Sequence, residues 1–256
     1  SYIIRLNQDD KLREYLKEKW CLEQMRKLGI PSPKVIRIGQ WKELAYVIQN
    51  KVPGRNGEVL SPSVKKQIWA QLGKYATRYQ QIHQAEDPQI DFILRHRDWQ
   101  ARLLYNLEEL NQTDSLLEKQ IFTPEEHSFA QASLASLLDR KLEMGLVHGD
   151  LCPRNVVVEG DQIHLLDWGT AEINVVPHTE LGILMISEEA SPVDFQLFLD
   201  GMGLSGEAFK KLEKEIQLFN FLHRLDKYRW AEAHCPEHLS NYAQKVRMTY
   251  ELLPST

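Results

Sequence analysis

The chain has 256 residues, 43% of them apolar and 26% charged, and a formal net charge of -5. That is room for one large core or two lobes, and the charge leaves no basic footprint for nucleic acid. No apolar run reaches the roughly 20 residues of a membrane-spanning helix, and the opening residues lead us to expect no signal peptide. Three scattered cysteines, Cys21, Cys152 and Cys235, make no disulfide framework, so a reducing, cytoplasmic setting is expected.

"SYIIRL" reads as a strand, and it opens almost at once, as though an upstream piece were missing. Residues 10–29 read as a helix with apolar residues at Leu12, Tyr15, Leu22, Met25 and Leu28, stopped by Gly29 with Pro31 and Pro33 beyond. "KVIRIG" and "LAYVIQN" are two short strands, and "KVPG" breaks the pattern. From there the chain turns helical. Ser61 and Pro62 open a helix expected to reach about His83, and a second is expected over 96–111. Thr123 and Glu126 form a capping box for a helix expected to run to about residue 144. "NVVV" and "IHLLD" then pair as a hairpin about a turn at 159–162, and the remainder from Pro177 is amphipathic helix. The organisation is therefore α+β: a small mixed lobe over 1–52 and a large helical lobe over 53–256, with a cleft between them as the natural ligand site.

The chemistry concentrates in the hairpin. Pairing its strands brings Asn155, before the first, and Asp167, after the second, to one end, with Asp150 on the preceding loop within reach. Oxygen donors of this kind suit Mg²⁺, and a carboxylate that does not bind the metal can take a proton from an attacking hydroxyl. Phosphoryl transfer needs little more.

"HGDLCPRN" followed by "LLDWG" resembles the catalytic and metal loops of the protein-kinase-like fold. Gly149, where protein kinases carry Arg, makes it similar to the aminoglycoside phosphotransferase and choline kinase branch, which phosphorylates small molecules. The resemblance implies Asp150 as catalytic base, Asn155 and Asp167 as Mg²⁺ ligands, and His148 as a brace for the loop. "KEKWCLEQMRKLGIPSP" resembles the family's first large helix, with Glu18 at the ion-pairing position and Arg5 as its phosphate-binding partner; Glu14 is the alternative on the same helix. "AYVIQNKVPG" resembles the hinge, whose backbone at Gln49, Asn50 and Lys51 would bond the adenine edge of ATP. The chain departs from the family's pattern at four points: no Gly-rich loop precedes "YIIRL", Arg5 replaces Lys, Cys152 replaces His, and Glu180 replaces Asp.

What this implies is an ATP- and Mg²⁺-dependent kinase for a small-molecule hydroxyl, with no nucleic-acid or membrane partner. A binding or scaffold protein on the same fold is the alternative. The few residues between Gly169 and Pro177 leave no room for the long segment that a protein substrate requires. Residues 1–100 carry 18 Lys and Arg against 11 Asp and Glu, and residues 171–256 carry 8 against 13. A basic front suits a nucleotide. An acidic rear favours an amine-bearing acceptor such as an aminoglycoside, choline or an amino sugar, with Asp200, Asp226 and Glu232 as contacts, although a neutral or acidic acceptor is also open. His234, Cys235 and His238 are too few for a zinc site. Tyr228, Trp230 and Tyr242 read as helix core rather than a cation cage. Trp168 either lines the cleft or wedges the loop, and His83 reads as structural.

Overall fold

The computed structural model describes residues 1–8, 11–95, 98–187 and 189–254. Residues 10, 96 and 97, where the sequence expects helix, lie outside them. Strands β1 (Tyr2–Gln8), β2 (Val35–Trp41) and β3 (Leu44–Asn50) form an antiparallel sheet in the order β1-β3-β2. Helix α1 (Leu12–Lys27) packs on it through Tyr15, Glu18, Cys21, Leu22 and Met25, a stripe at the three- and four-residue spacing of one helix face. Gly29 ends α1 in the left-handed region (φ 66°), and Ile30 N–H donates back to Met25 O at 2.8 Å. This is the closure that only glycine makes without strain.

The helical lobe contains α2 (Pro62–Tyr79), α3 (Pro88–Leu94), α4 (Trp99–Glu109), α5 (Ser115–Glu118), α6 (Pro124–Ala135), α7 (His178–Met185), α8 (Pro192–Met202), α9 (Gly206–His234) and α10 (Leu239–Tyr250). The capping box at Thr123 and Glu126 is formed, with Glu126 N–H donating to Thr123 Oγ1 and Thr123 N–H to Glu126. The helix it opens stops at Ala135, short of the expected 144. Its last turns tighten through Leu138 N–H to Ala135 O and Arg140 N–H to Leu137 O. The apolar residues beyond are then drawn into β5 (Met144–Val147). Helix α2 likewise stops at Tyr79 rather than His83, because Ile82 O accepts Leu146 N–H (2.8 Å) and His83 Nδ1 bonds Met144 O (2.6 Å). Gly145 permits the approach: a Cβ there would lie 2.0 Å from Gln80 O.

Helices α2 and α8 cross equally closely. A Cβ on Gly73 would stand 2.1 Å from Phe198 O, and one on Gly201 would stand 2.0 Å from Ala70 O. Both contacts are with backbone, which cannot swing aside. Gly73→Ala is therefore expected to destabilise the protein by about 3 kcal/mol. The melting temperature followed by circular dichroism should fall by roughly 10 °C, and an unchanged melting temperature would show that the helices are not so tightly apposed.

Two short ladders decide where the polar loops lie. The first is the expected hairpin, β6 (Val156–Glu159) with β7 (Gln162–Leu165), in the register Val156 opposite Leu165, with the two-residue strand β4 (Arg55–Asn56) on the other edge of β6. The second pairs β5 with β8 (Glu172–Val175), Val147 opposite Glu172. Residues 148–155 lead from the second ladder to the first, and 166–171 lead back. Two connections bridging the same pair of ladders run side by side. A backbone bond from Leu166 N–H to Asn155 O (2.9 Å) ties them.

Candidate active site

At the 148–155 loop, Asp150 is held from two sides. Asn155 Nδ2 donates to both its backbone oxygen and its Oδ2, each at 2.8 Å, and Arg154 donates to its Oδ1 at 2.6 Å. Arg154 also reaches Glu189. With the amide nitrogen of Asn155 committed to Asp150, the Asn155 Oδ1 is left without a hydrogen-bond partner among the described residues. On the neighbouring loop Asp167 is exposed, in the left-handed region (φ 54°), with only a long 3.4 Å contact from Gly169 N–H to its Oδ1. A non-glycine residue in that region is a cost that loop geometry imposes at functional positions. One amide oxygen and one carboxylate, neither spent within the protein, are a donor set fitted to a hard divalent cation. No cluster of three His, Cys, Asp or Glu side chains able to hold a metal occurs among the described residues, the 234–238 segment included.

His148 lies beneath the loop, fully buried. Its Nε2–H donates to Leu166 O (2.9 Å), and its Nδ1 accepts Asp150 N–H (3.3 Å). Burial pushes its pKa down, so it stays neutral, as this pair of bonds requires. Trp168 is a wedge rather than a cleft wall: it is wholly buried, edge-on to His148 (4.6 Å) and Tyr79 (5.3 Å). Cys152 is buried, its thiol pushed up to about 11, and it donates to Asp150 O.

Glu180 supports the loop from α7. Its carboxyl accepts His148 N–H (2.8 Å), Gly149 N–H (3.2 Å) and Tyr79 O–H (2.9 Å). Burial pushes its pKa up to about 7 in spite of those bonds. A pKa above the unfolded value means that the folded protein holds this proton more tightly. The stability it contributes is complete below the ordinary 4.5 and is lost as pH rises through about 7. Thermal melts from pH 5 to 8 should therefore show the wild type losing up to about 3 kcal/mol relative to Glu180→Gln. Parallel curves would show that Glu180 does not titrate in this range.

Across the cleft, Arg5 of β1 pairs with Glu18 of α1 at 2.6 Å, lies over the Tyr15 ring at 5.4 Å, and contacts Gln49 Oε1 at 3.5 Å. Glu18 is buried, and burial raises its pKa against the pull of Arg5. Glu14 is half-buried and pairs with Lys11 instead. The hinge stretch differs from expectation. Asn50 N–H donates to Lys34 O (3.0 Å) and Lys51 N–H to Ser1 O (3.1 Å), so these two donors are already engaged. Gln49 joins the Arg5 group through its side chain.

One residue escapes the sequence reading altogether. Lys17 is buried and its Nζ donates to Gly169 O (2.6 Å) and Ala171 O (3.0 Å), clamping α1 to the 166–171 loop. In a run of charges its neighbours mark it only as a solvated helix position.

Beside Gly149 and Thr170 lies a cavity of about 420 Å³. Among the described residues its charged lining is Arg102, Arg224 and Lys227 with Glu172. The acidic contacts expected for an amine do not line it. Asp226 faces Arg102 (3.8 Å), Glu232 holds Ser115 and Lys119, and Asp200 accepts from Gln196. Tyr228 is buried core bonded to Ser115, and Trp230 stacks on His234.

A small antiparallel sheet with its helix, set over a helical lobe whose two polar loops meet at the cleft, is the protein-kinase-like fold. The chain belongs to the phosphotransferase enzyme family APH, whose model matches residues 1–201. It is similar in structure to the aminoglycoside phosphotransferase APH(2'')-Ib in its ADP-bound form, at 16% identity and a TM-score of 0.68 over 99% of this chain and 88% of that one. It is also similar to wild-type aminoglycoside 2'-phosphotransferase-IIIa in its GDP complex (14%, TM-score 0.69, 98% and 86%). An amicoumacin kinase in complex with AMP-PNP and Ca²⁺ is a third likeness (15%, TM-score 0.59, 100% and 84%). No curated protein sequence matches the chain.

Proposed function

We propose that the chain transfers the γ-phosphoryl group of ATP, with Mg²⁺, to a hydroxyl of a small molecule. What supports this reading is the bonding of Asp150 to Asn155 on one loop, with the exposed Asp167 on the neighbouring loop that the Leu166 N–H to Asn155 O bond ties to it. Asp150 is the base: it takes the acceptor's hydroxyl proton as that oxygen bonds to the γ-phosphorus and the bond to the β–γ bridging oxygen breaks. Asn155 and Asp167 would hold Mg²⁺, which when bound neutralises charge on the triphosphate. Arg5, fixed by Glu18, offers a planar cation to phosphate oxygens. His148 positions Asp150 and touches no reacting atom. Residues 1–52 form the nucleotide lobe and 53–256 the lobe bringing base and acceptor. Gln49, Asn50 and Lys51 bound the adenine end, where backbone carbonyls rather than the engaged N–H groups would meet the base. The nucleotides held by the similar structures support the assignment, and a cytoplasmic setting goes with an ATP-dependent small-molecule kinase.

Isothermal titration with ATP, with and without Mg²⁺, followed by ADP release in the presence of hydroxylated acceptors, tests this. Binding of ATP that requires Mg²⁺, with acceptor-dependent ADP release, is expected. No heat on ATP addition would overturn it in favour of a binding protein on a kinase fold.

A further inference from the structure

The 420 Å³ cavity is bounded by Gly149 and Thr170, which flank Asp150 and the Asp167–Trp168–Gly169 turn, so whatever fills it lies next to the proposed base. Thr170 Oγ1 donates to His148 O (2.9 Å), locking that rim to the loop. The far wall is α9, which presents Arg224 and Lys227 one turn apart, and α4 adds Arg102. Arg102 is offset by Asp226 at 3.8 Å. Glu172 Oε1 accepts Asn174 Nδ2 at 2.7 Å, a neutral donor that leaves its charge in place.

Arg224 is different. Among the described residues its guanidinium makes no hydrogen bond or ion pair, and it is partly buried, burial alone pulling its pKa down. A half-buried guanidinium facing a cavity, with no counter-charge among the described residues, leaves its donors to solvent or to a ligand. A planar five-donor fork matches a carboxylate or phosphate bidentately. Another cavity, of about 470 Å³ and lined by Arg95, Trp99, Arg140 and Met144, contains none of the site residues.

We infer that the acceptor is an anion: a small hydroxylated molecule whose carboxylate or phosphate pairs with Arg224 while its hydroxyl lies at Asp150. The inference rests on the phosphotransferase reading and names its substrate class. An amine-bearing acceptor would instead bring its charge towards Arg102, Arg224 and Lys227.

The test sorts acceptors by charge before any are identified. Small metabolites of a cell extract are separated into anion-exchanger-retained, cation-exchanger-retained and unretained pools. Each is incubated with the protein, Mg²⁺ and ATP labelled in its γ-phosphate. Label is expected in the anion pool. Prior treatment of that pool with alkaline phosphatase distinguishes the sources: a phosphate-bearing acceptor is lost and a carboxylate-bearing one survives. In Arg224→Gln the amount of pool giving half-maximal transfer should rise on the order of 10- to 100-fold, with the maximal rate little changed. Arg224→Lys should recover part of the loss, and ATP binding should be unaltered in both. Label in the cation or unretained pool, an Arg224→Gln titration that matches wild type, or no transfer from any pool by a protein that binds ATP would each overturn the inference. Failure of the wild type to bind ATP removes the phosphotransferase reading itself, and the inference with it.

Discussion

Asp150→Asn is expected to lower kcat by about 10³-fold while leaving the affinity for Mg²⁺ and ATP within a few-fold of wild type, because a base acts in the transition state and not in nucleotide binding. The substitution is chosen so that the loop survives it. The bond from Asn155 Nδ2 to the backbone oxygen of residue 150 does not involve the side chain, nor does the N–H that His148 Nδ1 accepts. An amide of the same shape still offers one oxygen to Arg154, at the loss of the side-chain bond from Asn155 Nδ2. What it cannot do is take up a proton at neutral pH. Titration calorimetry alongside single-turnover phosphoryl transfer separates the two quantities. A variant that transfers within tenfold of wild type would place the base elsewhere. A variant that loses nucleotide binding as well would mean that Asp150 serves the nucleotide.

The same loop shows what a sequence can and cannot carry. The β6–β7 hairpin is legible because its strands are separated only by a two-residue turn at Gly160 and Asp161 and carry a local apolar pattern. The β5–β8 ladder is not. Its four-residue strands lie 25 residues and more apart, and each is a short apolar run that fits a helix end equally well. Missing it made α6 too long, and it hid the reason that the two loops must be neighbours. Glu18 was legible through the family resemblance, which left Glu14 as an alternative, but Lys17 beside it was not, since burial of a lysine ammonium against two carbonyls is decided by tertiary geometry. Acceptor charge is not legible in the sequence for a related reason. Net charge over a segment sums every side chain, whereas the cavity presents only some of them. Asp226, Asp200 and Glu232 spend their carboxylates on protein partners, and Arg224 makes no ion pair among the described residues.

Asp167→Asn is the second substitution with a large expected effect, and its outcome differs in kind. Here the Mg²⁺-dependent affinity for ATP should fall by roughly 100-fold or more, since a charged oxygen ligand is replaced by a neutral one. Asparagine is the replacement of choice because residue 167 sits at φ 54°. Asparagine tolerates that region, whereas alanine would add about 1–2 kcal/mol of backbone cost and confuse loss of a ligand with loss of the loop. Asp167→Gly is the matching control: it relieves the backbone and removes the carboxylate. If the carboxylate is what matters, both variants should keep the wild-type melting temperature, and both should need much higher Mg²⁺ to bind ATP. Raising Mg²⁺ should then restore Asp167→Asn further than Asp167→Gly, because the amide oxygen is still a donor to a hard cation. Equal Mg²⁺ requirements in wild type and both variants would show that the metal is held without residue 167, leaving Asn155 and Asp150 to account for it.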